Sequence, residues 1–262
     1  MPARWRYVIP SLLTCVGITA GLLSIAEAIA GRFESSAWFI MLCVLLDKAD
    51  GTAARLLGSS SRFGMELDSL SDFLTFGVAP SVLISTLLTR GGVPAPSWLP
   101  HHFHYLVYGG AGLWTIAAAL RLAKFNVKTS KRDTHFFGAP TTVSGAFIAA
   151  YYLAACKYAL PTGFLHALPG IMIIFALLMV SNLPLRKVGL RRSLLFNIVL
   201  LTLTFFVYLF GLLRIFPEYL FVVGNLYLWV GFIWATAAGV RADDEEQDEE
   251  QQEGEQAVAD LD

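Results

Sequence analysis

The chain has 262 residues, 56% of them hydrophobic and only 15% charged, with a mean hydropathy of +0.60. A soluble domain is about 25% charged and less than half apolar, so these values exclude an ordinary soluble protein and indicate a polytopic membrane protein. The net charge of −1 hides an asymmetry: 11 acidic residues and no Lys or Arg lie from Asp243 onward, leaving 19 basic residues against the other 9 of the 20 acidic ones.

Apolar segments recur at about 8–30, 37–57, 67–90, 103–126, 140–160, 164–182, 194–215 and 219–240. Each is near the roughly 20 residues that a bilayer-spanning helix needs. The expected fold is therefore an all-α transmembrane bundle of about eight helices, with both termini on one side. The first segment has signal-peptide features: Arg4 and Arg6 precede it, and Ala28-Ile29-Ala30 looks like a cleavage site. Val8 to Ala30 is longer than the usual ~7–15-residue signal core, so a retained helix is expected.

Orientation follows from Lys and Arg, which concentrate on the cytoplasmic side. Arg32, Arg90, Lys157 and Arg214 fall on one side and the other 15 basic residues on the opposite one. Both termini are thus expected in the cytoplasm, in a multi-pass protein of the cell membrane. The basic body suits anionic lipid headgroups or phosphate-bearing substrates; no nucleic-acid partner is expected. The transmembrane domain is expected over 1–242. Residues 243–262, acidic and Gln-rich without apolar periodicity, read as a disordered cytoplasmic tail. No internal repeat is evident.

The second segment has a purely apolar part, Ala37 to Leu46, of only ten residues. That is too short for a bilayer core of ~30 Å at 1.5 Å per residue. Its helix must continue through Asp47, Asp50 and Arg55, which puts carboxylates at the cytoplasmic interface in a wet cavity. Charges at that depth mark a functional site. On the outer side, Gly91 to Pro100 is a Pro- and Gly-rich loop. His101, His102 and His104 beside Phe103 and Tyr105 read as an interfacial aromatic band rather than a metal set. Cys15, Cys43 and Cys156 lie far apart in apolar runs and read as buried structural thiols.

The chemistry lies between Asp47 and Asp72. Asp47 and Asp50 are three apart and share a helix face, which Ala54 extends. Asp68 and Asp72 are four apart, with Gly64 one turn earlier. Gly58 and Ser59-Ser60-Ser61 can turn the chain back between them. Two helices can thus aim four carboxylates into one gap. Gly51, Ala54 and Gly64 leave those faces bare for a close helix or a flat ligand. Clustered carboxylates will not all ionise without cations, and hard oxygen donors suit Mg²⁺ or Mn²⁺. Two such ions ~3.5–4 Å apart would clamp an in-line phosphoryl displacement. A structural ion-pair set with Lys48, Arg55 and Arg62, or a cation or proton pathway, would use the same residue types.

The spacing D-x2-D-G-x2-A-R-x8-G-x3-D-x3-D is the signature of the CDP-alcohol phosphotransferases, and Asp47, Asp50, Gly51, Ala54, Arg55, Gly64, Asp68 and Asp72 match every fixed position. Leu67-Asp68-Ser69-Leu70-Ser71-Asp72 followed by Thr75-Phe76-Gly77-Val78-Ala79-Pro80 resembles the LDSLAD and SFGVAP of the bacterial integral-membrane phosphatidylserine synthases. Ala119 to Val127 is similar to their ALRLARFNV, Phe137-Gly138-Ala139-Pro140 to their F-x-GLP, and Ile9 to Thr14 to their PNxLT. The resemblance covers about residues 5–215. Ser71, Thr75, Lys124 and Ala139 replace the usual Ala, Ser, Arg and Leu.

The resemblance implies a six-helix family core, here with two more helices, and a homodimer. It implies that Asp47, Asp50 and Asp68 bind metal, and that Asp72 binds the second of two divalent cations and acts as general base. Asp50, Gly51, Ala54, Arg55 and Gly64 would bind CDP. The implied reaction moves a phosphatidyl group from CDP-diacylglycerol to L-serine, giving phosphatidylserine and CMP. Arg121, Lys124 and Asn126 are candidates for the serine carboxylate or a phosphate; Lys at 124 loses bidentate geometry. Other acceptors are glycerol 3-phosphate, inositol phosphate or choline; Phe73 after Asp72, where the glycerophosphate branch usually has Lys, weighs against a phosphorylated one. A transporter would need carboxylates in both membrane halves, and the central apolar segments after Asp72 have none.

Overall fold

The structure is a computed structural model that describes residues 3–58, 61–98, 101–128, 135–186 and 194–237. The elements are α1 (Ala3–Ile29), α2 (Phe33–Leu57), α3 (Arg62–Asp72), a π-helical stretch (Phe73–Val78), α4 (Ala79–Arg90), α5 (Phe103–Lys128), α6 (Thr141–Lys157), α7 (Thr162–His166), α8 (Leu168–Val180), α9 (Leu194–Leu213) and α10 (Pro217–Ala237). Since α3 runs through the π stretch into α4, and α7 abuts α8, the described residues form eight helical rods, as the apolar segments predict. The architecture is all-helical. One short ribbon accompanies it: β1 (His135–Phe137) pairs antiparallel with β2 (Pro184–Arg186), His135 opposite Arg186. The acidic tail lies outside the described residues.

Among the described residues five rods are long and apolar enough to cross a membrane: Val8–Ile29, Arg62–Arg90, Phe103–Val127, Thr162–Val180 and Leu194–Leu213. Helix α2 is continuous through its charged half, as the short apolar part requires. Large apolar side chains cover much of the outer surface. On α9, Leu194, Leu195, Ile198, Leu201 and Phe205 all face outward, which suits lipid tails. This corrects the reading of the cysteines: Cys43 is buried, but Cys15 and Cys156 are exposed. In a bilayer an apolar helix face is as much at home outside as inside.

The packed core sits around the π stretch. Phe76, Trp114, Ile148 and Leu83 are fully buried. Pro80 explains the local geometry. It has no N–H, so the ordinary bond from residue 80 back to the Phe76 carbonyl cannot form. The helix widens instead, with the Ala79 N–H donating to the Leu74 carbonyl five residues back. The buried Trp114 indole N–H then donates to the Phe76 carbonyl at 2.9 Å. Close approach is possible because two neighbours are glycine. A Cβ on Gly77 would stand 3.2 Å from Ala118, and one on Gly145 3.0 Å from Phe76. The Thr75–Pro80 motif is thus a helix junction. Phe137–Pro140 is another. Gly138 has φ +74°, and a Cβ there would lie 2.5 Å from the Met179 carbonyl oxygen. Its N–H and that of Ala139 donate to the Leu183 and Leu178 carbonyls at 2.9 and 3.0 Å.

Trp114→Phe orphans the Phe76 carbonyl and is expected to cost about 1–3 kcal/mol, measured as a lower midpoint of thermal unfolding in detergent. Pro80→Ala restores an N–H for that carbonyl and is expected to recover part of the loss in the double variant. Equal effects with and without Pro80 would remove this account of the π stretch.

Candidate active site

Helix α2 brings Asp47 and Asp50 to one side, and α3 brings Asp68 against them. The reversal between the helices is built locally. Gly58 takes φ +59°, with its N–H facing the Ala54 and Arg55 carbonyls, and so ends α2. Ser61 starts α3, its hydroxyl accepting from the Gly64 N–H at 3.0 Å. Glycine ends helices this way because it has no Cβ penalty there, and serine caps them by satisfying an orphan N–H. One carboxylate oxygen from each of Asp47, Asp50 and Asp68 lies within 4.8 Å of the others.

Asp72, one turn beyond Asp68, lies outside that mutual distance. It is still close enough to feel the charges of the three aspartates and of Arg121 on α5. The structure therefore brings three carboxylates together and leaves the fourth within electrostatic reach of them and, more weakly, of Arg121. Among the described residues no ion pair within 4.0 Å joins the four aspartates to Lys48, Arg55 or Arg62, so the structural ion-pair reading finds no contact. Two carboxylates 4.8 Å apart repel by roughly 3 kcal/mol at an effective dielectric of about 20. Hard oxygens converging in this way fit a divalent cation such as Mg²⁺ or Mn²⁺.

A cleft of about 140 Å³ opens beside the trio. Asp50, Gly51, Ala54, Gly64 and Asp68 line it, together with Pro10, Ser11, Thr14, Ser61 and Met65. Four of the five expected nucleotide-binding residues thus line one cleft. The fifth, Arg55, is exposed, and its guanidinium donates to the Thr52 hydroxyl at 3.2 Å. Among the acceptor candidates Arg121 is within electrostatic reach of Asp72, and its Nε is buried with no hydrogen-bond partner. Lys124 instead donates to Asn182 Oδ1 at 2.5 Å. Asn126 accepts from the Ser69 hydroxyl at 3.0 Å and reaches Glu66 at 3.4 Å, away from the carboxylate face.

Helix α1 contributes more than a membrane anchor. The buried Thr14 hydroxyl lies 3.0 Å from Asp50 Oδ2 and also 3.0 Å from the Pro10 carbonyl. Asp50 is only 6% exposed, so this donor matters for its orientation. Spacing within the aspartate stretch does not point to Thr14; the Pro10…Thr14 motif does. The same helix explains two departures from the usual motif. A Cβ on Gly17 would stand 3.3 Å from the Ser71 hydroxyl, and one on Gly21 2.6 Å from the Thr75 methyl. Bare backbone on α1 makes room for the extra atoms at 71 and 75. Tyr208 of α9 is also near enough to feel Asp47 and Arg55. The histidines join no metal group among the described residues; the His104 and Tyr105 rings are 4.0 Å apart.

The chain matches the family model described as CDP-alcohol phosphatidyltransferase over residues 7–237. It is 32% identical over 185 residues to the CDP-diacylglycerol–serine O-phosphatidyltransferase of Helicobacter pylori strain J99, covering 70% of this chain and 73% of that one. The archaetidylserine synthase of Methanothermobacter thermautotrophicus is 33% identical over 184 residues, 69% and 70% of the two chains. The CDP-diacylglycerol–serine O-phosphatidyltransferase of Bacillus subtilis strain 168 is 37% identical over 137 residues, 52% and 71%.

Thr14→Val keeps the shape but removes the donor to Asp50. It is expected to weaken Mn²⁺ binding about tenfold, the worth of one hydrogen bond to a charged group. Electron paramagnetic resonance of free Mn²⁺ reads this, with Asp68→Asn as the variant expected to lose binding.

Proposed function

The chain belongs to the CDP-alcohol phosphatidyltransferase family, and from that premise we propose that it transfers a phosphatidyl group from CDP-diacylglycerol to L-serine. The observation that carries this reading is the convergence of Asp47, Asp50 and Asp68 at the edge of a cleft walled by Gly51, Ala54 and Gly64. Serine as acceptor is supported by the names of the relatives and by Phe73, which follows Asp72 where the glycerophosphate branch usually has Lys.

Asp47, Asp50 and Asp68 would hold divalent cations, with Asp72 serving the second; bound there, Mg²⁺ or Mn²⁺ supplies neutralisation of the diphosphate charge. The bare wall at Gly51, Ala54 and Gly64 lets the nucleotide lie against backbone. Arg55, at the exposed end of that wall, meets the charge of the departing CMP. Asp72 accepts the proton of the serine hydroxyl. The serine oxygen then bonds to the phosphorus that carries diacylglycerol, the bond from that phosphorus to the CMP oxygen breaks, and phosphatidylserine and CMP result. Arg121, with a buried donor left over and within electrostatic reach of Asp72, would take the serine carboxylate. Lys124 and Asn126, engaged with Asn182 and with α3, hold α5 in place.

The positive-inside asymmetry supports an active site that faces the cytoplasm, with residues 243–262 as an acidic tail on the same side. A second copy of the chain is the partner that the family resemblance implies, read by sedimentation in detergent.

Purified protein given CDP-diacylglycerol, a divalent cation and one acceptor at a time is expected to release CMP with serine. Release with glycerol 3-phosphate, inositol phosphate or choline, and none with serine, would reassign the acceptor. Asp72→Asn is expected to lower turnover at least 100-fold, the usual scale of a general base; full activity in that variant would exclude Asp72 from the role.

A further inference from the structure

A second cavity, of about 400 Å³, lies where the start of α2, the end of α6 and the α9–α10 turn meet. Glu34, Trp38, Cys156, Lys157, Arg214 and Phe216 are among its lining residues. Glu34 stands in the first turn of α2, 13 residues before Asp47. At 1.5 Å per residue that is about 20 Å along the helix. The cavity therefore lies toward the other end of the bundle from the aspartates, beside Lys157 and Arg214, two of the four basic residues that the Lys and Arg count puts on the outer side.

Its charges come in both signs. Lys157 pairs with Glu218 Oε1 at 2.6 Å, while Glu218 Oε2 is buried with no hydrogen-bond partner. Arg214 lies over the Phe39 ring at 5.6 Å and makes no ion pair with another described residue. Glu34 makes none either. Arg214 and Phe216 hold φ of +55° and +51°, a conformation rare for bulky residues. Non-glycine residues stay in that region only where the surroundings enforce it.

We propose that this cavity binds the headgroup of a zwitterionic phospholipid, its phosphate at Arg214 and its ammonium at Glu34. Lys157 and Glu218 neutralise each other, so the lining leaves one base, Arg214, and one acid, Glu34, and a ligand carrying one charge of each sign satisfies both. A purely anionic headgroup would bring its phosphate to Arg214 but leave Glu34 without a donor. A cationic ligand would leave Arg214 unmatched. Trp38 and Phe216 supply the aromatic wall that suits the membrane interface. Leu153 and Ile215, also lining residues, suit the first carbons of the lipid.

The test uses the full chain in detergent, with lipid retention read by native mass spectrometry; no turnover is needed, so it is independent of the aspartate site. Phosphatidylethanolamine and phosphatidylglycerol with the same acyl chains are titrated separately, and inorganic phosphate is the competitor. Phosphatidylethanolamine is expected to be retained in preference. Arg214→Gln is expected to weaken both lipids about tenfold, and Glu34→Gln to weaken phosphatidylethanolamine alone, each removing one charge-assisted contact. Arg214→Asn, a residue tolerant of positive φ, serves as the second variant with the same expectation and guards against misfolding. Equal retention of the two lipids, unchanged binding in both Arg214 variants, or displacement by millimolar phosphate would overturn the proposal.

Discussion

Like charges brought together in an apolar bundle push apart, and the arrangement around Asp47, Asp50 and Asp68 answers that repulsion. The oxygens of the trio stand within 4.8 Å of one another, and no basic side chain among the described residues touches them. The packing must supply the constraint. Gly17 and Gly21 let α1 lie against α3 and the π stretch, Gly58 and Ser61 fix the reversal between α2 and α3, and Thr14 holds Asp50. Carboxylates held this close repel one another, and a cation bound among them would relieve that repulsion.

The aspartate stretch was legible because its information is local. Residues three and four apart share a helix face whatever the rest of the chain does, so the convergence of α2 and α3 followed from spacing alone. The number and order of helices followed from segment length. What spacing could not reveal depends on contacts across long sequence separations. Thr14 meets Asp50 over 36 residues, and Trp114 meets Phe76 over 38. The position of Asp72 apart from the trio is of the same kind. So is the division among Arg121, Lys124 and Asn126, which share a helix but face different neighbours. The cysteines misled for another reason: apolar sequence marks burial in water, and in a bilayer it marks only contact with something apolar.

The two ends of the bundle differ in chemistry. At one end carboxylates gather at a narrow cleft of bare backbone. At the other, mixed charges and aromatic rings line a wider cavity on turns with unusual backbone conformations. Between them the described residues of the core are apolar, with buried Ser and Thr hydroxyls bonded to nearby carbonyls or to each other. Charged side chains are thereby concentrated at the two ends of the bundle.

The widened turn at Phe73–Val78 has a consequence for the rod that contains it. A π turn accommodates about one residue more than an α turn, and one residue is about 100° of rotation at 3.6 residues per turn. The half of the rod bearing Asp68 and Asp72 is thus out of phase with the half bearing Leu83 and Leu87. Each half can aim its own face where it is needed: carboxylates toward α2, and α4 against α5 and α1. Straightening the rod would leave every residue in place in the sequence and turn one half away from its partners.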